Sequence, residues 1–135
     1  MVRRFGSMIK IKPEGLEQYK AYHANPLPGV NEMIKECNLK NYSIYQRGDY
    51  MFSYFEYDGD DYEADMEKMA ADPTTQHWWS LVKQLMQPLD DRNEGEFWSD
   101  MEEIYHRDGE IMSQRERRPP FHEWTGMRRR PFVIS

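Results

Sequence analysis

Polar and apolar positions alternate from residue 4 to residue 12, with Phe5, Ser7, Ile9 and Ile11 on one side. A period of two predicts a strand. Pro13 suits the first turn of a helix, where its missing N–H costs nothing, and Glu14 favours the positive helix end. That helix is expected to run to about Asn25, with Gly15 a weak point near its start. The Asn25-Pro26-Leu27-Pro28-Gly29 stretch interrupts it, since each proline restricts its predecessor and removes a donor. Beyond the break, Val30, Met33, Ile34 and Cys37 fall at i, i+3, i+4 and i+7, a one-sided stripe that predicts a second helix packed on the core.

Two strands are expected next, Leu39 to Tyr45 and Tyr50 to Tyr57, joined as a hairpin through Gln46-Arg47-Gly48-Asp49. Asp58-Gly59-Asp60-Asp61 marks a turn and a helix N-terminus, and Tyr62, Met66, Met69 and Ala70 give the following helix its buried face. Asp72-Pro73-Thr74 ends that helix and caps another over about Thr75 to Met86, with Trp78, Leu81, Val82 and Leu85 on one face. Residues 87–99 read as a polar loop, and Met101 to Arg107 (MEEIYHR) as a final short strand. Strand, helix pair, two strands, helix pair, strand is a β-α-β-β-α-β series. It predicts an α+β, ferredoxin-like domain of the dimeric α/β-barrel type, an antiparallel sheet with helices on one face. The uncovered sheet face points to a homodimer.

Composition sharpens this picture. The chain has 135 residues, room for a single core, which we place in residues 1–110. Aromatics make up 14% and there are ten methionines, enough ring and thioether surface for an aromatic core or an apolar pocket. The charge of −6 is unevenly spread. Residues 111–135 hold six arginines against Glu116 and Glu123, so residues 1–110 carry about −10. An acidic body repels phosphate backbones, so no nucleic-acid partner is expected, and a neutral ligand fits better than an anion. Residues 111–135 show no period and read as a basic, aromatic tail or an arm lying on the body. Cys37 is the single cysteine, residues 1–12 lack the apolar run of a signal peptide, and no window reaches the length of a membrane span. The expectation is a cytoplasmic protein with no membrane partner.

Three local features could carry chemistry. Tyr19 and His23, at i and i+4, share a helix face, where a phenol and an imidazole can hold a hydroxylated ligand and move a proton near neutral pH. The same spacing suits a face that packs Tyr and exposes His. Trp78 and Trp79 lie about 100° apart on a helix, so only one can occupy a narrow core stripe. The other is left for a pocket rim, a partner or solvent, and indole faces stack on the C–H faces of sugars. In Asn41-Tyr42-Ser43-Ile44-Tyr45, alternation sends Tyr42 and Ile44 to one face and the other three residues to the opposite one. No HExxH, CxxC, glycine-rich phosphate loop or G-x-S-x-G occurs, and His23, His77, His106 and His122 lack ligand spacing, so no metal site is expected.

Taken in order, the opening strand, Tyr19-x-x-x-His23 before a proline break, NYSIY at 41–45 and QHWWS at 76–80 resemble the L-rhamnose mutarotase family over about residues 1–107. The resemblance implies a dimeric ferredoxin-like domain that needs neither cofactor nor metal. It implies that His23 is the proton donor and that Tyr19, Tyr42, Trp78 and Trp79 contact a monosaccharide. Where the family carries Trp-Pro after the histidine helix, this chain has Leu27-Pro28-Gly29. The implied activity is interconversion of the α and β anomers of L-rhamnose. Another 6-deoxy sugar such as L-fucose, a non-catalytic sugar-binding dimer, and an oxygenase or binding module of related architecture are the alternatives, since fold does not fix function.

Overall fold

The computed structural model describes residues 2–109. Strand β1 (Arg3–Ile11) leads through a 3-10 turn (Pro13–Gly15) into helix α1 (Leu16–Ala24), and α2 (Val30–Glu36) follows the proline break. The hairpin β2 (Leu39–Arg47) and β3 (Tyr50–Tyr57) comes next. Helices α3 (Tyr62–Ala71) and α4 (Pro73–Val82), a 3-10 turn (Lys83–Leu85) and the short strands β4 (Met86–Gln87) and β5 (Ser99–Met101) complete the order. The sheet runs β2-β3-β1-β4, with β5 also paired to β1, and every pairing is antiparallel. This is the ferredoxin-like α+β fold that the order of elements predicts.

Local chemistry sets the element ends. Gly48 turns the hairpin at φ +59°, in the left-handed region that costs glycine nothing. Asp61 and Asp72 cap α3 and α4, their carboxylates accepting from the Ala64 and Thr75 amides at 3.1 and 2.9 Å. Asn38, at φ +64°, stops α2 in the manner of a left-handed cap.

Register then builds the core. On one sheet face β1 and β3 set Phe5 against Phe55, Ser7 against Ser53 and Ile9 against Met51. Ile9, Ile11 and Met51 are buried with Tyr19, Val30, Trp78 and Val82 from the helices. A second buried group, Cys37, Leu39, Tyr57 and Met69, lies beside it, and Ile34 and Trp79 pack against both. The Ser7 and Ser53 hydroxyls satisfy one another at 2.6 Å, so their burial leaves no orphan polar atom. On the opposite face Tyr45, Tyr50, Phe52 and Met101 stay exposed, Tyr45 over 65% of its surface.

Three expectations need correction. The helix predicted to reach Met86 ends at Val82, and Met86 is a buried strand residue paired with Ile11. The free edge of β1 offers ladder bonds there, and Pro88 biases Gln87 towards extended backbone. Ala70 is exposed, because Met69 alone of that pair faces the core. The closing strand is Ser99–Met101, earlier and shorter than Met101 to Arg107. Past Met101 the chain leaves the ladder, and the Arg4 guanidinium grips the Glu103 carboxylate through two bonds of 2.9 and 3.1 Å. Residues 2–104 belong to one compact unit. Among residues 105–109, which belong to another, the His106 ring nitrogen meets the Asp108 carboxylate at 2.9 Å. The basic extension over residues 111–135 lies outside the described residues.

Candidate functional site

Between the inner sheet face and the helices lies a cavity of about 940 Å³. Tyr19, His23, Tyr42, Trp78 and Trp79, drawn from three separate stretches of sequence, all line it. Spacing alone left each of these features open to a packing role; the fold gives them one shared space.

Helix α1 supplies the titratable centre. Its pitch sets Tyr19 and His23 one turn apart, with their rings stacked at 4.2 Å between centroids. The His23 ring also meets Trp78 edge to face at 5.1 Å. His23 Nδ1 lies 2.9 Å from the Tyr19 carbonyl oxygen, which can only accept, so Nδ1 carries the proton. In the neutral ring Nε2 is therefore the atom with a free lone pair. Two influences act on this imidazole. Burial disfavours the cation and is the larger, while the carbonyl bond favours it, and the net result is a pKa below the ordinary value of 6.5. At neutral pH His23 is an uncharged base.

The phenols behave in the opposite sense. Burial drives the Tyr19 hydroxyl well above its usual range, with the Tyr42 phenol adding to the effect. Desolvation of its hydroxyl also raises Tyr42, helped by Tyr62, although the residue as a whole keeps 41% of its surface exposed. Both remain protonated, able to donate to a ligand oxygen. Tyr42 reaches the cavity through a β-bulge between Lys40 and Ser43, where Asn41 takes φ +51°. The extra residue lets Leu39, Tyr42 and Ile44 all line the cavity, which strict alternation from Leu39 forbids. The expected split of Tyr42 and Ile44 from Tyr45 holds: Tyr45 stays on the exposed face.

The tryptophans divide as their spacing requires. Trp78 is buried to 8% exposure against the core, and Trp79 is half-buried. The Lys83 ammonium sits over the Trp79 ring at 4.8 Å and over Phe97 at 5.1 Å. That cation–π contact occupies one face of the indole. Phe97 and Trp98 also line the cavity, although the stretch 87–99 reads as polar. The signal for them was the adjacent aromatic pair in GEFWS, too short for any period to report. Leu27, in place of the family's tryptophan, packs against the core.

No Asp or Glu lines the cavity among the described residues, and its charged members are Lys20 and Lys83. Lys20 lies 3.9 Å from the Glu17 carboxylate. Among the described residues there is also no group of three or more His, Cys, Asp and Glu that could hold a metal, and no helix long and apolar enough to cross a membrane. An aromatic cleft with a few convergent polar groups suits a small hydroxylated molecule, and a neutral imidazole beside protonated phenols suits proton transfer.

The chain is similar to known proteins in both sequence and fold. The family model for L-rhamnose mutarotase matches residues 4–107. A UPF0734 protein of Dictyostelium discoideum, whose name states no activity, is 33% identical over 100 residues, 70% of this chain and 80% of that protein. An L-rhamnose mutarotase of Listeria monocytogenes is 26% identical over 107 residues, 78% of this chain and 98% of the relative. Among solved structures, an L-rhamnose mutarotase from Formosa agariphila has TM-score 0.61 at 19% identity, covering 78% of this chain and 99% of its own. A tetracenomycin F2 cyclase from Streptomyces glaucescens has TM-score 0.62, also at 19% identity, covering 80% and 99%. Similarity at that level speaks for the fold alone.

Proposed function

Because the chain belongs to the L-rhamnose mutarotase family, we propose that it interconverts the α and β anomers of L-rhamnose, with His23 moving the proton. The observation that carries this reading is the convergence of Tyr19, His23, Tyr42, Trp78 and Trp79 on one cavity, with Nε2 of His23 left as an acceptor.

The chemistry is short. In the closed sugar the anomeric hydroxyl and the ring oxygen share one carbon. Neutral His23 takes the hydroxyl proton at Nε2 while the C1–O5 bond breaks and its electron pair goes to the ring oxygen. The imidazolium then gives that proton to the ring oxygen, leaving a free aldehyde and a neutral His23. Rotation about C1–C2 presents the other carbonyl face, and the reverse steps close the ring as the opposite anomer. The Tyr19 carbonyl, bonded to Nδ1–H, holds the tautomer and steadies the transient cation. His23 is thus first a base and then the donor that the family resemblance implies.

Tyr42 and Tyr19 donate to sugar oxygens, and the indoles of Trp78 and Trp79 bear on the apolar ring faces. For Trp79 this leaves the face opposite Lys83. One positioned acid–base group contributes about 10²–10⁴-fold, adequate for a reaction that already proceeds slowly in water. The enzyme acts as a homodimer through the uncovered sheet face, where Tyr45, Tyr50, Phe52 and Met101 expose apolar surface.

Saturation transfer between the two anomeric proton resonances tests the activity. Exchange of L-rhamnose should quicken in proportion to protein concentration, more than exchange of L-fucose or glucose. If no 6-deoxyhexose exchanges faster than in buffer, the reading is wrong.

A further inference from the structure

Two groups of aromatic rings border the cavity. One holds His23, stacked on Tyr19 and set against Trp78. The other is a separate run of rings: Tyr42 lies 5.3 Å from Phe55, Phe55 5.0 Å from Phe5, and Phe5 4.8 Å from Tyr62. Tyr62 belongs to this second group and lines the cavity, yet the reaction above gives it no task.

Its ring is fixed on several sides. Phe5 stacks on it with planes only 14° apart, Tyr57 meets it edge to face at 5.1 Å, and the Arg3 guanidinium lies 4.9 Å from its centroid. Arg3 also covers Phe5 at 5.0 Å, tying the stack together. A ring held this way cannot swing its hydroxyl elsewhere without breaking several contacts. Buried and half-buried tyrosine hydroxyls normally find a partner. Tyr57, the neighbour on the same cluster, donates to the Asp65 carboxylate and accepts from the Asp61 amide. The Tyr62 hydroxyl makes no hydrogen bond to another described residue. A phenylalanine would pack as well in this stack, so the hydroxyl is what packing leaves unexplained.

We infer that Tyr62 recognises the substrate: its hydroxyl hydrogen-bonds a pyranose hydroxyl remote from the anomeric carbon, within the cavity that His23 also lines. The substrate class this selects is a pyranose with a free hydroxyl on C2, C3 or C4, read by a group separate from the one that moves the proton. Tyr62 is a binding residue, and the chemistry stays with His23. This inference rests on the mutarotase reading, which supplies the sugar and its orientation.

The test is Tyr62→Phe, which keeps the ring and its stacking. Anomeric exchange is measured against sugar concentration for L-rhamnose and for its 2-, 3- and 4-monodeoxy analogues. With L-rhamnose the variant should raise KM about three- to tenfold with little change in kcat, the size expected for one lost neutral hydrogen bond. One of the deoxy analogues should show a similarly raised KM with the unaltered protein, and Tyr62→Phe should then add nothing for that analogue. An unchanged KM for L-rhamnose, or an equal rise for every analogue, would overturn the inference while leaving the mutarotase reading intact. No exchange of any sugar by the unaltered protein would overturn both.

Discussion

The reaction assigned to His23 turns on which ring nitrogen holds the proton, and the Tyr19 carbonyl decides it. Burial decides the charge, keeping the ring neutral below its ordinary value of 6.5. The direction of the pH effect follows. Protonation removes the lone pair on Nε2, so activity should hold through neutral pH and fall in acid, with its midpoint below that of an ordinary imidazole. A pH profile of the anomeric exchange rate checks this, and a midpoint above 6.5 would contradict it. The same shift makes the unfolded chain the better proton acceptor, so this residue lowers stability only as pH falls below the unfolded value. In the sequence, residue types and spacing gave Tyr19 and His23 a common face but could not tell a pocket from a packed surface. Tyr62 was legible only as one position of a buried helix stripe, because a stripe reports which way a side chain points and not whether its hydroxyl is satisfied.

Among the elements, β2 shows what alternation can and cannot report. Parity correctly separated Tyr42 and Ile44 from Tyr45, since those residues lie within or beyond the bulge. It gave no sign of the bulge itself, which lets Leu39 and Tyr42, three residues apart, line one cavity. Asn41 makes this possible at φ +51°, a conformation that asparagine tolerates and β-branched residues resist. Asn41→Val should therefore destabilise the fold by about 1–3 kcal/mol, while Asn41→Gly stays close to the original. Urea unfolding of the pair checks this; equal midpoints for the two variants would show that the bulge is not what Asn41 supports. The missed strand β4 and the displaced β5 have a related cause. Strands of two and three residues are too short to carry a period, and their place is set by the unpaired edge of β1, a tertiary fact.

Across the molecule, the order of strands and helices was legible because α1 stops before Pro26, Asp61 and Asp72 cap the starts of α3 and α4, and β1 alternates along its length. What composition could not reveal was how the apolar excess divides between a cavity and the far sheet face. The structure assigns Trp78, Trp79, Phe97 and Trp98 to the first, and Tyr45, Tyr50, Phe52 and Met101 to the second. If that face joins two copies, Phe52→Lys should shift the protein from dimer to monomer in sedimentation at micromolar concentration, since a desolvated lysine on each copy opposes association. An unaltered protein that is already monomeric would remove the dimer from the account. The central claim is narrower: one imidazole in this cavity moves the proton that opens the sugar ring. Its most direct test is saturation transfer between the anomers of L-rhamnose with the unaltered protein and with His23→Asn. The account expects the substitution to lower the exchange rate about 10²–10⁴-fold, to near the rate in buffer, while circular dichroism shows the fold retained. Exchange as fast with His23→Asn as without it would contradict the account.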